Sequence, residues 1–321
     1  YSVLFKPIAE KLWGDPRKLD VKLSQGRVQT PSLIEVILRT LGIKKTSEFE
    51  ALTFRYPKGG LSKLWEAIEQ KSANRGTISL NSSVSGLKID KNKVVEIRSK
   101  QNGVEKIYQV KDNDFVVSTL PLGITVSLIK DYMPPSIEEN FNNVVHLNDL
   151  ILVFYHVDIS KFLDESWVFV PDPNVVFHRI SEQRSFDPSM TKNGTILCSE
   201  IMSSEGRNMT NKSDQELFEL VDKGLNDMGY SKYRVLNKKV IRLPKSYPVF
   251  LTGYEFGLKK LINELDKIIN FKTIGRQGAF NYIGTLDAMD IGYGFSKWLE
   301  KRNNNEWINE RERTSLYPVL D

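Results

Sequence analysis

Cysteine is almost absent. The single Cys198 in 321 residues excludes an internal disulfide and suits a reducing compartment. Histidine is also scarce. His146, His156 and His178 show no His-x-x-x-His spacing, and no Cys-x-x-Cys occurs, so no metal site is expected. The chain lacks a Gly-x-Ser-x-Gly elbow, a P-loop and any Gly-x-Gly-x-x-Gly. Cys198 sits in an apolar strand pattern and reads as inert core rather than nucleophile. No apolar run approaches the ~20 residues of a membrane span. The opening YSVLFKPIAEKLWG has Glu10 and Lys11 where a signal peptide needs an uninterrupted apolar segment. A cytoplasmic location without membrane association is the resulting expectation. Tyr1 and the amphipathic pattern around it read as the middle of a longer chain.

What is present is ordinary for a globular protein: 40% hydrophobic and 26% charged residues. That suffices for one large domain or two interleaved ones. The net charge of +5 is spread along the chain, with acidic residues beside most lysine pairs. It reads as solvated faces, and no nucleic-acid surface is expected.

Residues 1–75 read as mostly helical. VQTPSLIEVILRTLG and the stretch after Pro57-Lys58-Gly59-Gly60 both carry a 3.6-residue apolar stripe. Period two follows in TISLNSSVSGLKID, NKVVEIRSK, KIYQVKD and NDFVVSTLP, with a hairpin turn at Asp90-Lys91-Asn92 and an apolar run, PLGITVSLI, continuing past the last strand. A helix after Pro134-Pro135 precedes longer strands in LNDLILVFYHVD, SWVFVPD, NVVFHRISEQ and GTILCSEI. A helix capped by Ser213 or Asp214, the strand YRVLNKKVIRLP, the helix YEFGLKKLINELDKIIN and the short strand NFKTIG come next. The closing helix is LDAMDIGYGFSKWLEKRN. The expected class is α/β, an α+β substrate domain interleaved with part of a Rossmann-like domain.

The strand NFKTIG runs into TIGRQGAFNYIGTLDAMDIGYG, where Gly275, Gly278, Gly284, Gly292 and Gly294 crowd together with Arg276, Asp287 and Asp290. Glycine packs nothing and costs backbone entropy. Such density serves tight turns, or a backbone that must come close to a ligand. A strand, a glycine-rich turn and a helix form the cofactor-binding arrangement of α/β folds.

Together with FKPIAEKLWGDPRKLD, YPKGGLSKLWEAI, DFVVSTLPL and FHRISEQRSFDP, this stretch resembles the flavin-dependent amine-oxidase-like superfamily. The nearest branch is that of protoporphyrinogen-oxidase-like and UDP-galactopyranose-mutase-like proteins. The resemblance implies FAD as the cofactor and a small-molecule substrate. It departs from the family in one respect: the N-terminal βαβ unit with its glycine fingerprint is not in this sequence.

The resemblance also implies site residues. Gly275, Gln277 and Gly278 would let the backbone approach the flavin, and Arg276 would face the flavin or a substrate oxyanion, unless it forms a structural ion pair. Asp287 would cap the last helix or orient the ribityl chain, and Met289 and Asp290 would lie in its first turns. Gly59 and Gly60 would pass near the flavin ring, with Lys58 near the reacting atoms or an anionic substrate. Arg276 and Lys58 are thus the expected catalytic residues. Val84 would lie beside the adenine, or simply be core. Thr119, Leu120 and Pro121 would end the strand along which the dinucleotide passes. Tyr155, Trp167, Phe169, Phe177 and Tyr247 fall on the covering sheet, as substrate contacts or as core. His178 and Arg179 read as solvent-exposed.

The expected segments are a substrate or helical part at 1–58, an FAD-domain segment at 59–130, the substrate-domain sheet and helices at 131–267, an FAD-domain strand-loop-helix at 268–303 and a tail at 304–321. An FAD-dependent oxidoreductase that transfers hydride from substrate to flavin is the leading expectation. A flavin-dependent sugar mutase is the alternative, and a cofactor-free binding protein is the third.

Overall fold

The structure is a computed structural model and describes residues 2–25, 55–204, 206–315 and 317. The helix expected in VQTPSLIEVILRTLG lies outside the described residues.

In chain order the elements begin with α1 (Phe5–Trp13), α2 (Val21–Gln25), α3 (Ser62–Ser72), β1 (Ser82–Asp90), β2 (Lys93–Gln101), β3 (Val104–Gln109), β4 (Val116–Ser118), α4 (Leu122–Leu128) and α5 (Pro135–Val144). They continue with β5 (His146–Val157), β6 (Trp167–Phe169), β7 (Arg179–Glu182), α6 (Gln183–Phe186), β8 (Thr195–Ser203), α7 (Asp214–Asp227) and β9 (Val235–Val249). The last are α8 (Tyr254–Asp266), β10 (Phe271–Thr273), α9 (Gly275–Gly278), α10 (Thr285–Lys301) and α11 (Asn304–Ser315). The class is α/β. The contacts divide it into two compact units. The first holds Tyr1–Arg17, Gln29–Ile78 and Asn148–Tyr247, and the second holds Lys18–Val28, Ser79–Leu147 and Pro248–Asp321.

The first unit is built on a five-stranded sheet in the order β6-β7-β8-β5-β9. β5 and β8 pair antiparallel from Asp149↔Ser203 to Val157↔Thr195. Alternation along β5 turns Ile151, Val153, Tyr155 and Val157 to one face, where they pack with Leu217, Val221 and Leu225 of α7. Ser213 and Glu216 form a full capping box at the start of α7. Two residues expected as possible substrate contacts belong to this core: Phe177 is fully buried, and the Tyr155 hydroxyl donates to Phe218 O at 3.0 Å.

Lys11 of α1 is buried in the same unit, donating from Nζ to Val170 O (2.7 Å) and Phe177 O (3.0 Å). Burial, and secondarily the Arg207 charge, lower its pKa to about 8; Asp172 opposes them. The unfolded chain holds this proton up to about pH 10.4. Between these values the unfolded state binds more protons, so stability rises with pH. The expected gain between pH 8 and 10 is on the order of 2–3 kcal/mol, read by urea unfolding. Lys11→Met removes that slope, and a variant retaining it would show that another group is responsible.

The second unit contains the antiparallel meander β1-β2-β3 and the two-stranded parallel sheet β10-β4. Lys91 and Asn92 take φ of 46° and 62°, the left-handed pair that a two-residue hairpin turn requires. The Asn270 side chain bonds both Val94 N and Val94 O (2.8 and 2.9 Å), tying the meander to the start of β10. Phe295 and Trp298 of α10 meet Trp307 of α11, with Phe115 packed against them.

Three local expectations are corrected. The apolar run after DFVVSTLP becomes helix α4, because Pro121 ends the strand and stands at the helix N-cap. Only Arg179–Glu182 of NVVFHRISEQ is strand, and Gln183–Phe186 turn into α6. LDAMDIGYGFSKWLEKRN is not the closing helix. The expected tail folds as α11, whose N-terminus is capped by Asn303 Oδ1 accepting from Asn305 N at 2.9 Å. Its core contribution is mainly Trp307, too sparse a stripe to announce a helix.

Candidate functional site in the second unit

β4 and β10 run parallel, with Val116, Val117 and Ser118 opposite Phe271, Lys272 and Thr273. At their C-terminal ends each leads into a turn and a helix, the place where open parallel sheets bind ligands. Ile274 N donates to Ser118 O at 3.0 Å, and Ser118 Oγ meets Thr125 Oγ1 of α4 at 2.8 Å. α9 lies against this strand end. A Cβ on Gly278 would stand 2.8 Å from Ser118 O and 3.3 Å from Thr119 Cα. The expected residues Thr119, Leu120 and Pro121 are thus brought together with Gly275, Arg276, Gln277 and Gly278.

Gly275 has φ +84°, and nothing lies within 4 Å of where its Cβ would be. The strand end is therefore both left-handed and open on that side. Arg276 Nη1 donates to Ile283 O at 2.5 Å, and its guanidinium lies 4.9 Å from the Tyr282 ring centre. Asn281 N returns to Arg276 O at 2.8 Å. Arg276 therefore holds the 279–284 loop in shape. Tyr282 and Ile283, which this requires, carry no chemistry visible in the sequence.

The loop delivers the chain to α10. Gly284 N donates to Asp287 Oδ2 at 2.8 Å, so Asp287 caps the helix as expected for one of its two roles. Backbone N–H groups of a first helical turn have no intrahelical partner. Thr285 and Leu286, in that turn, are exposed. Met289 is exposed one turn on. Asp290 is engaged by Arg313 Nη1 at 2.6 Å and by the Tyr317 hydroxyl, which together hold its carboxyl below the usual range. Val84 is half-buried on β1.

Lys58, Gly59 and Gly60 belong to the first unit and form a fixed turn there. Gly59 and Gly60 have φ of 85° and 99°. Gly59 N donates to the Asp187 carboxylate, and a Cβ on Gly60 would lie 3.3 Å from Met190 Cε. Bonds from the Ser189 hydroxyl and the Gly59 N–H hold the Asp187 carboxyl down to about 2. Asp187 was not singled out from sequence; its signal is the Asp-Pro-Ser turn, in which Ser189 N also bonds the carboxylate. Lys58 is exposed.

His178 and Arg179 correct the expectation of solvent exposure. His178 is 2% exposed, and Arg179 forms a bidentate pair with Glu200 at 2.9 Å. Arg179 is satisfied across the sheet, since β7 and β8 place it opposite Glu200. Cys198 is buried, its thiol pushed up to about 12 by burial. Among the described residues no cluster of metal-ligating side chains occurs, and no helix is long and apolar enough to cross a membrane.

Residues 20–245 match the family of flavin containing amine oxidoreductases. The chain belongs to that family. Membership implies a flavin cofactor. The matched span stops short of the 273–294 loop. The fold is that of a reduced UDP-galactopyranose mutase, with a TM-score of 0.76 and 18% identity over 99% of this chain and 69% of the mutase. A candidate protoporphyrinogen oxidase from Exiguobacterium sp. 255-15 matches with a TM-score of 0.59 and 15% identity, over 85% of this chain and 58% of that one. No curated protein matches the sequence.

Proposed function

We propose that this family member acts in an FAD-dependent oxidoreductase, using the strand end at Gly275 and the N-terminus of α10 as part of the flavin site. The observation that carries the proposal is the pairing of an open, left-handed glycine with an exposed helix N-terminus at the ends of two parallel strands. These residues fit the group. Gly275 leaves room for a flat ring system, and Asp287 fixes the helix whose N–H groups favour negative charge. Bound FAD would accept a hydride from the substrate.

This chain's own residues have supporting roles in that proposal. Arg276 holds the 279–284 loop, and so sets where the α10 terminus points. Gly278 keeps α9 against Thr119 and Leu120, and Gln277 precedes it on the same short helix. Met289 and Asp290 lie one turn along the same helix. As the resemblance implies, Lys58, Gly59, Gly60 and Val84 are also proposed as cofactor or substrate contacts. The helix terminus contributes about 0.3–1 kcal/mol, up to ~2 when partly buried. For a two-electron couple 1.4 kcal/mol is about 30 mV, so its effect on the flavin potential is tens of millivolts.

The test is retention of flavin absorbance after incubation with FAD and gel filtration. Retention is expected for the wild type and is expected to be lost in Gly275→Val, whose side chain would occupy the open side of the strand end. Retention that Gly275→Val does not change would sink the placement. No retention in the wild type favours the cofactor-free binding protein. The second reading, a sugar mutase, is supported by the higher TM-score with the mutase. It predicts turnover only with pre-reduced flavin and without consumption of an electron acceptor.

A further inference from the structure

The last helix reaches both the strand end at Gly275 and helix α10. Thr273 ends β10, two residues before Gly275. A trans peptide points its N–H and C=O in opposite directions. Ile274 N donates to Ser118 O of β4 at 3.0 Å, and on the other side Thr273 O accepts from Arg311 Nη1 of α11 at 3.2 Å. The one peptide that leads into Gly275 is thus held from both edges.

Arg311 is itself fixed. Its Nε and Nη2 fork onto the Asp266 carboxylate at the end of α8 (3.1 and 2.9 Å), and its guanidinium lies 4.7 Å from the Trp307 ring centre. The buried Lys272 of β10 approaches the same carboxylate at 3.3 Å. A planar guanidinium gripped on two of its nitrogens aims the third, which a flexible ammonium does not do.

α11 also grips α10. Trp307 meets Trp298 at 4.8 Å and Phe295 at 5.8 Å between ring centres. Glu310 lies against the α10 backbone at Gly294, where a Cβ would run into its carboxylate. Gly294, one of the crowded glycines of 273–294, therefore makes room for α11. Arg313 holds Glu310 at 2.7 and 2.9 Å and reaches Asp290 of α10 at 2.6 Å.

We propose that α11 is the clasp of the flavin wall, and that Arg311 is a positioning residue that fixes the Thr273–Ile274 peptide relative to α10. The proposal rests on the reading of Gly275 and the α10 terminus as part of the flavin site. Those two elements follow each other through a short helix and a loop, and α11 bridges them a second time through side chains. Displacements of about 1 Å in such a wall are enough to weaken a site.

Hydrogen exchange of the cofactor-free chain in low denaturant tests the clasp without flavin. The hydrogen-bonded amides of Ile274, Ala279 and Asn281 are expected to open together with those of 304–315, as one cooperative unit. Protection of those three amides while 304–315 exchange freely would overturn the proposal. Arg311→Lys keeps a charge beside Asp266 and loses the arm to Thr273 O. It is expected to speed exchange at the three amides about tenfold and to weaken FAD binding about tenfold, the scale of one hydrogen bond from a charged donor. Ile137→Ala, a cavity at a buried site of α5 in the same unit, is expected to lower thermal stability at least as much and to leave FAD affinity unchanged. Wild-type exchange and affinity in Arg311→Lys, or an equal loss of affinity in Ile137→Ala, would also overturn it. Should Arg311→Lys not fold, the wild-type exchange comparison decides. A wild type that binds no FAD would end the flavin reading, and exchange alone would then show whether α11 holds the strand end.

Discussion

Asp266→Ala is expected to destabilise the second unit by about 3–5 kcal/mol, the usual cost of removing one partner from a buried ion pair. Asp266, at the end of α8, is the anionic centre of a small network. It receives Arg311 of α11, Lys272 of β10 and the Trp307 indole N–H at 3.2 Å. Lys272 is 4% exposed in the middle of a strand. Without the carboxylate its charge, already disfavoured by burial, keeps only the neutral Asp266 main-chain carbonyl at 3.1 Å and lies close to that of Arg311. Two elements, α11 and β10, then lose the group that fixes them to α8. The check is chemical denaturation of the single variant beside a triple variant, Asp266→Leu with Lys272→Met and Arg311→Met. Removing all the charges together avoids an uncompensated one, so the triple variant is expected to recover most of the loss. A single variant within about 1 kcal/mol of wild type would show that water already screens the cluster.

Gly278→Ala is expected to cost about 2–3 kcal/mol and to abolish FAD retention. The added Cβ would lie 2.8 Å from Ser118 O, a backbone atom that cannot rotate away. Overpacking of this kind typically costs 1–3 kcal/mol. Either α9 lifts from the end of β4, or β4 and β10 shift in register. Both separate Thr119 and Leu120 from Gly275. Gly275→Ala makes a useful contrast. Its Cβ meets nothing within 4 Å, so only the left-handed backbone is strained, at roughly 1–2 kcal/mol. The two variants are compared by thermal unfolding and by flavin content. Equal effects would mean that α9 does not rest on the strand end as described.

The site was legible where chemistry and backbone share a residue. The glycines of 273–294 announced a strand, a turn and a helix, and β10, α9 and α10 follow in that order. Asp287 as a cap could be read from its place three residues after Gly284. Arg276 was visible, but its engagement by Ile283 O and Tyr282 was not, because a carbonyl and a ring seven and six residues on carry no sequence mark. The link from Gly59 to Asp187 spans 128 residues, and none of it follows from local pattern.

The sequence alone determined most of the element types and the turns. Amphipathic period, the Ser213 capping box and the left-handed turn at Lys91-Asn92 are local, fixed by backbone sterics and by hydrogen bonds between near neighbours. It also determined which residues are rich in glycine, and so where a backbone could come close to a ligand. Only the tertiary structure decided which polar groups are paired. Asp266 with Lys272 and Arg311, Arg179 with Glu200, and Lys11 with Val170 and Phe177 all join distant segments or neighbouring strands. Burial makes each such group costly unless a partner is supplied. That partner is chosen by sheet order and helix packing, which no single stretch of sequence encodes.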